Sequence, residues 1–236
     1  MSAILYQFRW TLPLWFIGLL TNWLPENKFV QRFRGYLASY FIGRCGRGFM
    51  LAKHVQINSP DGLSIGDNVY IAYGCWLNAM CGLTLEDEVT LAPYVVISTA
   101  QQVFKNGSVH GGGAVARPVT IRRGTWIAAH AVVRGGVTVG RSNLVAANAC
   151  VTRDTPDSVI VGGVPAKVLR ENTDSEPDFF SRSQFQAMSP KDPTPSWPDD
   201  SPSRPEVESK ATSDATVKSD ATVKSDATAS PAGKSD

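Results

Sequence analysis

Aliphatic residues recur at every sixth position through the second half of the ordered pattern: Ile121, Ile127, Val133, Val139, Val145 and Val151. A helix repeats every 3.6 residues and one face of a strand every two, so a period of six belongs to neither. It belongs to a chain that turns a corner once per repeat. Three such corners close a triangular coil of about 18 residues, and stacked coils make a parallel β-helix with the aliphatic residues pointing inward. The same phase continues upstream through Leu85, Leu91, Ile97 and Val103. Ile65, Ile71 and Leu77 form an earlier block, displaced by two residues at Met80 to Leu83, and Leu51 and Ile57 a still earlier one, displaced at Ser59 to Gly62. The position after the aliphatic residue is often small (Gly66, Ala72, Asn78, Ala92, Ser98, Ala128, Gly140, Ala146). This predicts the corners there, where glycine and asparagine tolerate positive φ. The predicted fold is therefore all-β, a hexapeptide-repeat solenoid over residues 49–171.

One stretch interrupts the solenoid. Residues 104–118 are polar, rich in glycine and without the period, which predicts a loop extruded from the prism. Long irregular loops in compact repeat domains are usually functional. Residues 1–48 are different again. Ile4 to Leu24 is apolar and aromatic, with Trp10, Trp15, Phe16 and Trp23, and is broken by Pro13 and closed by Pro25. Its longest uncharged run, from Trp10 to Pro25, is shorter than the ~20 residues that span a bilayer. It also lacks the cationic start and small-residue cleavage site of a signal peptide. From Met1 to Lys53 the only acid is Glu26, against Arg9, Lys28, Arg32, Arg34, Arg44, Arg47 and Lys53. These features predict helices that cap the open first coil and can make peripheral contact with an anionic membrane. Residues 172–236 shift to Ser, Asp, Pro, Thr and Lys and end in a repeated Ser-Asp-Ala-Thr-Val-Lys. So little apolar surface predicts a disordered tail.

Composition narrows the function classes. Cys45, Cys75, Cys81 and Cys150 show neither a CxxC pair nor a secreted framework, which predicts a reduced, cytoplasmic setting. Three histidines without ligand spacing predict no metal site. A net charge of +2, concentrated at one end, gives no nucleic-acid footprint. No GxGxxG or P-loop is present.

Three segments carry a resemblance: Pro118 to Gly140 (PVTIRRGTWIAAHAVVRGGVTVG), Ala146 to Pro156 (AANACVTRDTP, with Ala147 inside it) and Val161 to Arg170 (VGGVPAKVLR). Over Gly62 to Arg170 the chain resembles the hexapeptide-repeat acyltransferases. Within them it looks most like the sugar and exopolysaccharide O-acetyltransferases, such as the maltose, galactoside, Nod-factor and colanic-acid enzymes. The resemblance implies a left-handed β-helix, an exception to the usual crossover hand. It further implies a homotrimer with active sites in the grooves between prisms, acetyl-CoA as co-substrate and a carbohydrate acceptor that reacts through a sugar hydroxyl. It assigns the pantetheine arm to backbone at Ala129 and Ala147, and the nucleotide phosphates to Lys167, with Arg170 as a second cation. Trp126 matches a family tryptophan that either packs under the loop or touches ligand.

The general base is where the sequence departs from the family. Family members carry a histidine in a Thr-x-x-His segment, and this chain reads Thr99-Ala100-Gln101-Gln102. A glutamine amide exchanges hydrogen bonds but takes no proton near neutral pH, and losing a general base costs ~10²–10⁴-fold in rate. Three readings stay open. His110, beside Gly111, Gly112 and Gly113 on the extruded loop, swings in as the base; the enzyme works without one; or the protein is an inactive trimeric scaffold that binds CoA or glycan. An amine acceptor, which needs less help from a base, is a further alternative. His130 and His54 are read as structural.

Overall fold

The computed structural model describes residues 2–173. The expected disordered tail lies outside the described residues, apart from its first two positions. Short parallel strands stack in three sheets, one for each wall of a triangular prism of about six coils. The first wall holds β1 (Arg44–Cys45), β4 (Leu63–Ile65), β7 (Leu83–Leu85), β12 (Val119–Ile121) and β15 (Thr138–Val139). The second runs from Met50–Leu51 through Trp126–Ile127 and Leu144–Val145 to Val159–Gly162, and the third from Gln56–Asn58 through Val96–Ser98 to Cys150–Val151. Register explains the sequence grid. Ile65 pairs with Leu85, twenty residues on, whereas Ile121 pairs with Val139, eighteen on. The early coils are longer at one corner, which produces the two displacements.

The inward residues form a continuous core in which Leu85, Leu91, Ile97, Ile121, Ile127, Val133, Val139 and Val145 are fully buried. Each wall also turns in the residue two positions earlier, as Val89 does ahead of Leu91 and Val95 ahead of Ile97. Side chains alternate along a strand, so a two-step neighbour shares the inner face. Thr125 and Asn143 occupy this second position as buried polar groups. The Thr125 hydroxyl donates to the Gly140 carbonyl at 2.6 Å. Asn143 donates to Thr155 Oγ1 and the Pro156 carbonyl, both at 2.8 Å, and accepts from the Val159 N–H at 2.8 Å.

Three expectations need correction. Val103 is not a core rung, because the chain leaves the prism at Ala100 as β10 (Ala100–Gln102), which returns antiparallel as β11 (Ala114–Ala116). Leu85 pairs directly with Ile121 across this insertion. The extra chain is one eighteen-residue period, so the grid passes through Val103, Val109 and Val115 although Val109 and Val115 are exposed. Second, positive φ does not fall on the small residue after the rung. It falls three residues after, at His54, Asn68, Gly74, Glu88, Tyr94, Gly124, His130, Gly136, Ser142 and Asn148. The small residues answer a different demand, close approach of the next coil: a Cβ on Gly66 would meet the Asp87 amide nitrogen at 2.6 Å.

Third, Pro13 does not break the N-terminal segment. A single helix runs from Ala3 to Thr21, with a π-turn over Gln7–Thr11 immediately before the proline. Proline lacks an N–H and its ring clashes with the carbonyl four residues back; the wider turn relieves both constraints. The helix is thus long and apolar enough, by length and composition, to cross a membrane. A second helix, Lys28–Ser39, starts at Asn27, whose side chain accepts from the Val30 N–H at 3.0 Å. It buries Val30, Arg34, Gly35 and Ala38 against the first coil. Arg34 fastens the assembly: its guanidinium donates to Thr21 Oγ1 (3.0 Å), the Thr21 carbonyl (3.0 Å) and the Leu51 carbonyl (2.9 Å). At the far end of the first helix, the Tyr6 hydroxyl donates to Asp61. Burial, reinforced by Asp61, pushes that phenol up to about 12, so it stays a donor.

Candidate active site

Between the second and third walls each coil turns through a short corner, and the corners stack into one edge of the prism. Ala129 and Ala147 occupy equivalent places on it, each just ahead of a residue with positive φ, His130 and Asn148. The Ala129 carbonyl accepts from the Asn148 N–H at 3.0 Å, which joins the two coils. Among the described residues no backbone acceptor takes the amide hydrogens of Ala129 or Ala147. Small side chains and free amides give this edge the character of a shallow trough that can bond an extended polar chain. Directly beyond it, the Cys150 N–H donates to the Gly163 carbonyl and the Ala166 N–H to the Cys150 carbonyl. These bonds seat the turn containing Pro165 on the last coil. The turn leads into β19 (Lys167–Glu171), which folds back antiparallel on Val159–Gly162. Lys167 opposes Gly162, while Arg170 lies farther along, opposite Ile160. The structure thus brings Ala129, Ala147 and Lys167 into line along one edge.

The same edge carries a column of aromatic rings, of which the sequence reading named His54 and His130 but missed Tyr73 and Tyr94. His54, Tyr73, Tyr94 and His130 form a column with centroid spacings of 5.2, 5.4 and 5.0 Å, and His130 lies nearly parallel to Tyr94. Tyr94 and His130 each stand three residues after a rung, which is the signal that finds them once the corner is known. The His130 ring thus lies against the face of Tyr94. Trp126 is about half exposed, on the wall beside the edge.

Gln102 and His110 stand on the hairpin at a different edge, between the third and first walls. Gln102 is exposed and opposes Ala114. His110 is at the hairpin tip, where its main-chain N–H donates to Ser108 Oγ at 3.0 Å. Gly111 and Gly113 follow it at φ of +74° and +79°, a conformation that favours glycine, with open space around both. Neighbouring Gln101 faces the prism: its amide oxygen accepts from Arg134 Nε at 3.0 Å and Nη2 at 2.7 Å. Thr99, Gln101, Arg117, Arg134 and Thr152 line a groove of about 300 Å³ under the hairpin. A larger depression of about 650 Å³ lies on the remaining edge. Its carboxylates are committed to main-chain N–H groups of adjacent coils, Asp67 to Arg47, Asp87 to Asp67 and Glu86 to Arg123. The Arg47 main-chain N–H, helped by the Arg47 guanidinium, holds the Asp67 carboxyl below its ordinary range. It reads as corner chemistry rather than a ligand site.

The two halves of the expected site do not meet on one prism. Ala129 and Arg134 stand at the two ends of the third wall, with the corner at His130 and the strand Val132–Val133 between them, a span of at most about 16 Å. Among the described residues, no group of three or more His, Cys, Asp or Glu side chains could hold a metal ion.

Comparison with known proteins gives this arrangement its context. No protein-family model matches the chain. A putative acetyltransferase of Saccharomyces cerevisiae is 30% identical over 151 residues, covering 64% of this chain and 74% of the relative. This chain belongs to the hexapeptide-repeat acetyltransferases. Within the family, the galactoside O-acetyltransferase of Escherichia coli is 28% identical over 147 residues, 62% of this chain and 72% of that protein. A putative colanic acid biosynthesis acetyltransferase of the same organism is 26% identical over 178 residues, 74% and 91% of the two chains. Among solved structures, a hexapeptide-repeat acetyltransferase of Vibrio cholerae complexed with acetyl-CoA superposes with a TM-score of 0.63 at 25% identity, over 73% of this chain and 91% of its own. The solenoid described above is the fold of this acetyltransferase family, and the protein is an acyltransferase by membership.

Proposed function

We propose that the protein transfers an acetyl group from acetyl-CoA to a hydroxyl of a carbohydrate, during assembly of a surface polysaccharide or glycolipid. The observation that carries this reading is the single edge on which Ala129, Ala147 and Lys167 stand in line. The donor supplies an activated acetyl thioester. The free amides of Ala129 and Ala147 suit the polar amide groups of a pantetheine arm, and Lys167 gives a mobile point charge for phosphate without demanding strict geometry. The relatives act on galactosides or serve colanic acid biosynthesis by name, which supports a sugar acceptor.

The chain's own residues must then remove one proton. The acceptor oxygen bonds to the carbonyl carbon as the carbon–sulfur bond breaks; the hydroxyl proton goes to a base and the sulfur leaves as the thiol or thiolate. Gln102 cannot take that proton. We assign the base to His110, carried on a glycine-flanked tip that reaches a groove formed with a neighbouring prism. Because hairpin and edge are separated on one chain, the working unit is an oligomer, and a homotrimer closes three equivalent sites.

A second reading rests on one specific residue. Glutamine at position 102, where the family resemblance places a histidine, also fits a trimeric scaffold that binds CoA or glycan without turnover. Steady-state assays with acetyl-CoA and a panel of sugars and amino sugars separate the two. We expect transfer to a hydroxyl, a loss of about 10²–10⁴-fold in kcat on His110→Ala, and recovery when Gln102→His is added. CoA binding without transfer to any acceptor favours the scaffold. An unchanged rate in His110→Ala removes the hairpin histidine from the mechanism.

A further inference from the structure

We propose that the outer faces of the two N-terminal helices form a docking surface for an anionic lipid bilayer, with both helices lying along the membrane surface rather than crossing it. From Leu12 to Leu20 the first helix is apolar all round. Leu14 packs onto the prism core, yet the opposite side shows Leu5, Phe8, Trp15 and Leu19 to the outside, and Trp23, in the turn that follows, is 78% exposed. A helix that is hydrophobic on every face needs a partner on every face. The second helix repeats the pattern with aromatics. Phe29, Phe33, Tyr36 and Tyr40 follow one another at spacings of four, three and four residues, one unbroken stripe, and Phe29 is 80% exposed. Lys28 and Arg32 are exposed beside that stripe. Aromatic and aliphatic side chains on one helix face with basic residues alongside are the chemistry of an interfacial helix on negatively charged lipid.

The attachments of the first helix decide its orientation. One end is fixed through Tyr6 to Asp61, the middle through Arg9, which donates to the Tyr40 carbonyl at 3.1 Å, and the other end through Thr21 to buried Arg34. A helix held to the protein at three points along its length lies flat and cannot turn into a bilayer without releasing them. Charge also argues against a second copy of this chain as the occupant. A two-fold self-contact would bring Lys28 and Arg32 of both copies together. The nearby acid, Glu26, is already engaged by Gln31 at 3.0 Å and Arg34 at 3.5 Å. The inference stands independently of the transfer chemistry proposed above.

The test uses the full-length protein, cosedimented with vesicles of phosphatidylcholine alone or mixed with phosphatidylglycerol, at low and high salt. Expected are binding to the anionic vesicles, weakening with salt, and release by alkaline carbonate. Phe29→Ser with Phe33→Ser should lower partitioning about tenfold or more through lost apolar contact. Lys28→Glu with Arg32→Glu should abolish the preference for phosphatidylglycerol while leaving the apolar stripe intact. Both variants alter exposed side chains, so their circular-dichroism spectra and melting should match the parent. Failure to bind any vesicle overturns the proposal, as does carbonate-resistant retention, which would mean that the first helix crosses. A discrete larger oligomer that Phe29→Ser with Phe33→Ser dissociates would show that a second copy covers the surface, and overturns it equally.

Discussion

Gly140 and Gly124 have the same lack of a side chain but meet different constraints. Gly140 follows the rung Val139, and a Cβ there would lie 2.2 Å from the Pro156 carbonyl oxygen, a backbone atom that cannot swing aside. Gly124 stands three residues after Ile121 at φ of +69°, where the nearest atom to an added Cβ is Ser142 Oγ at 3.6 Å. One glycine is required by the neighbouring coil, the other only by its own dihedral. Asparagine already occupies the equivalent corners at Asn68 and Asn148, with φ of 57° and 59°. Gly140→Ala is therefore expected to cost about 1–3 kcal/mol by overpacking. Gly124→Asn should cost less than about 1 kcal/mol, since asparagine tolerates the left-handed region. Urea unfolding of the two variants checks this. Equal losses would mean that a single steric rule governs both positions and that the separation of roles is wrong.

At the scale of the element, the grid of aliphatic residues made the prism legible because each rung obeys a local rule repeated many times. The hairpin was harder to read. Its boundaries are hidden because the inserted chain leaves the phase unchanged, so Val103 looks like the next rung when it has already left the wall. The proline in the first helix misled for the opposite reason: a local rule was sound, but a π-turn absorbs it. In the candidate site, the motif resemblance supplied Ala129, Ala147 and Lys167, whereas Tyr73, Tyr94, Gln101 and Arg134 come together only when coils stack. Stacking also predicts that the fold survives loss of the hairpin. The Arg117 N–H donates to the Thr99 carbonyl at 2.8 Å, so its two ends already touch. Removing residues 100–116 leaves Ser98, Thr99, Arg117 and Pro118 between Ile97 and Val119. That is close to the corner at Arg134, Gly135 and Gly136 between Val133 and Val137. The excised protein is expected to keep its β-sheet circular dichroism and its cooperative melting while losing transfer by about 10²–10⁴-fold. An unfolded product would show that the hairpin supports the walls. An active one would free it of any part in the chemistry.

The whole molecule raises a question that neither residues nor elements answer: how an edge and a hairpin at opposite ends of one wall can serve one reaction. A flexible tip could cross that wall, or a second prism could bring its hairpin to the edge. The Gln101–Arg134 bonds hold the hairpin base against its own third wall, which leaves the tip directed by a short anchored ribbon and favours the second arrangement. In a cyclic trimer every site then takes its hairpin from one protomer and its edge from the next. This can be separated from a self-contained site by mixing two defective chains. One lacks residues 100–116. The other carries Lys167→Glu, which sets a negative charge where donor phosphates are expected. Each is expected to be nearly inactive alone at low acetyl-CoA. When the two are co-expressed in equal amounts and assemble at random, half of the hairpins and half of the edges are intact. About a quarter of the sites therefore receive both intact parts, and about a quarter of the parent rate should return. A mixture no faster than the mean of its parents would place hairpin and edge of one working site on the same chain, and the shared-site arrangement would have to be abandoned.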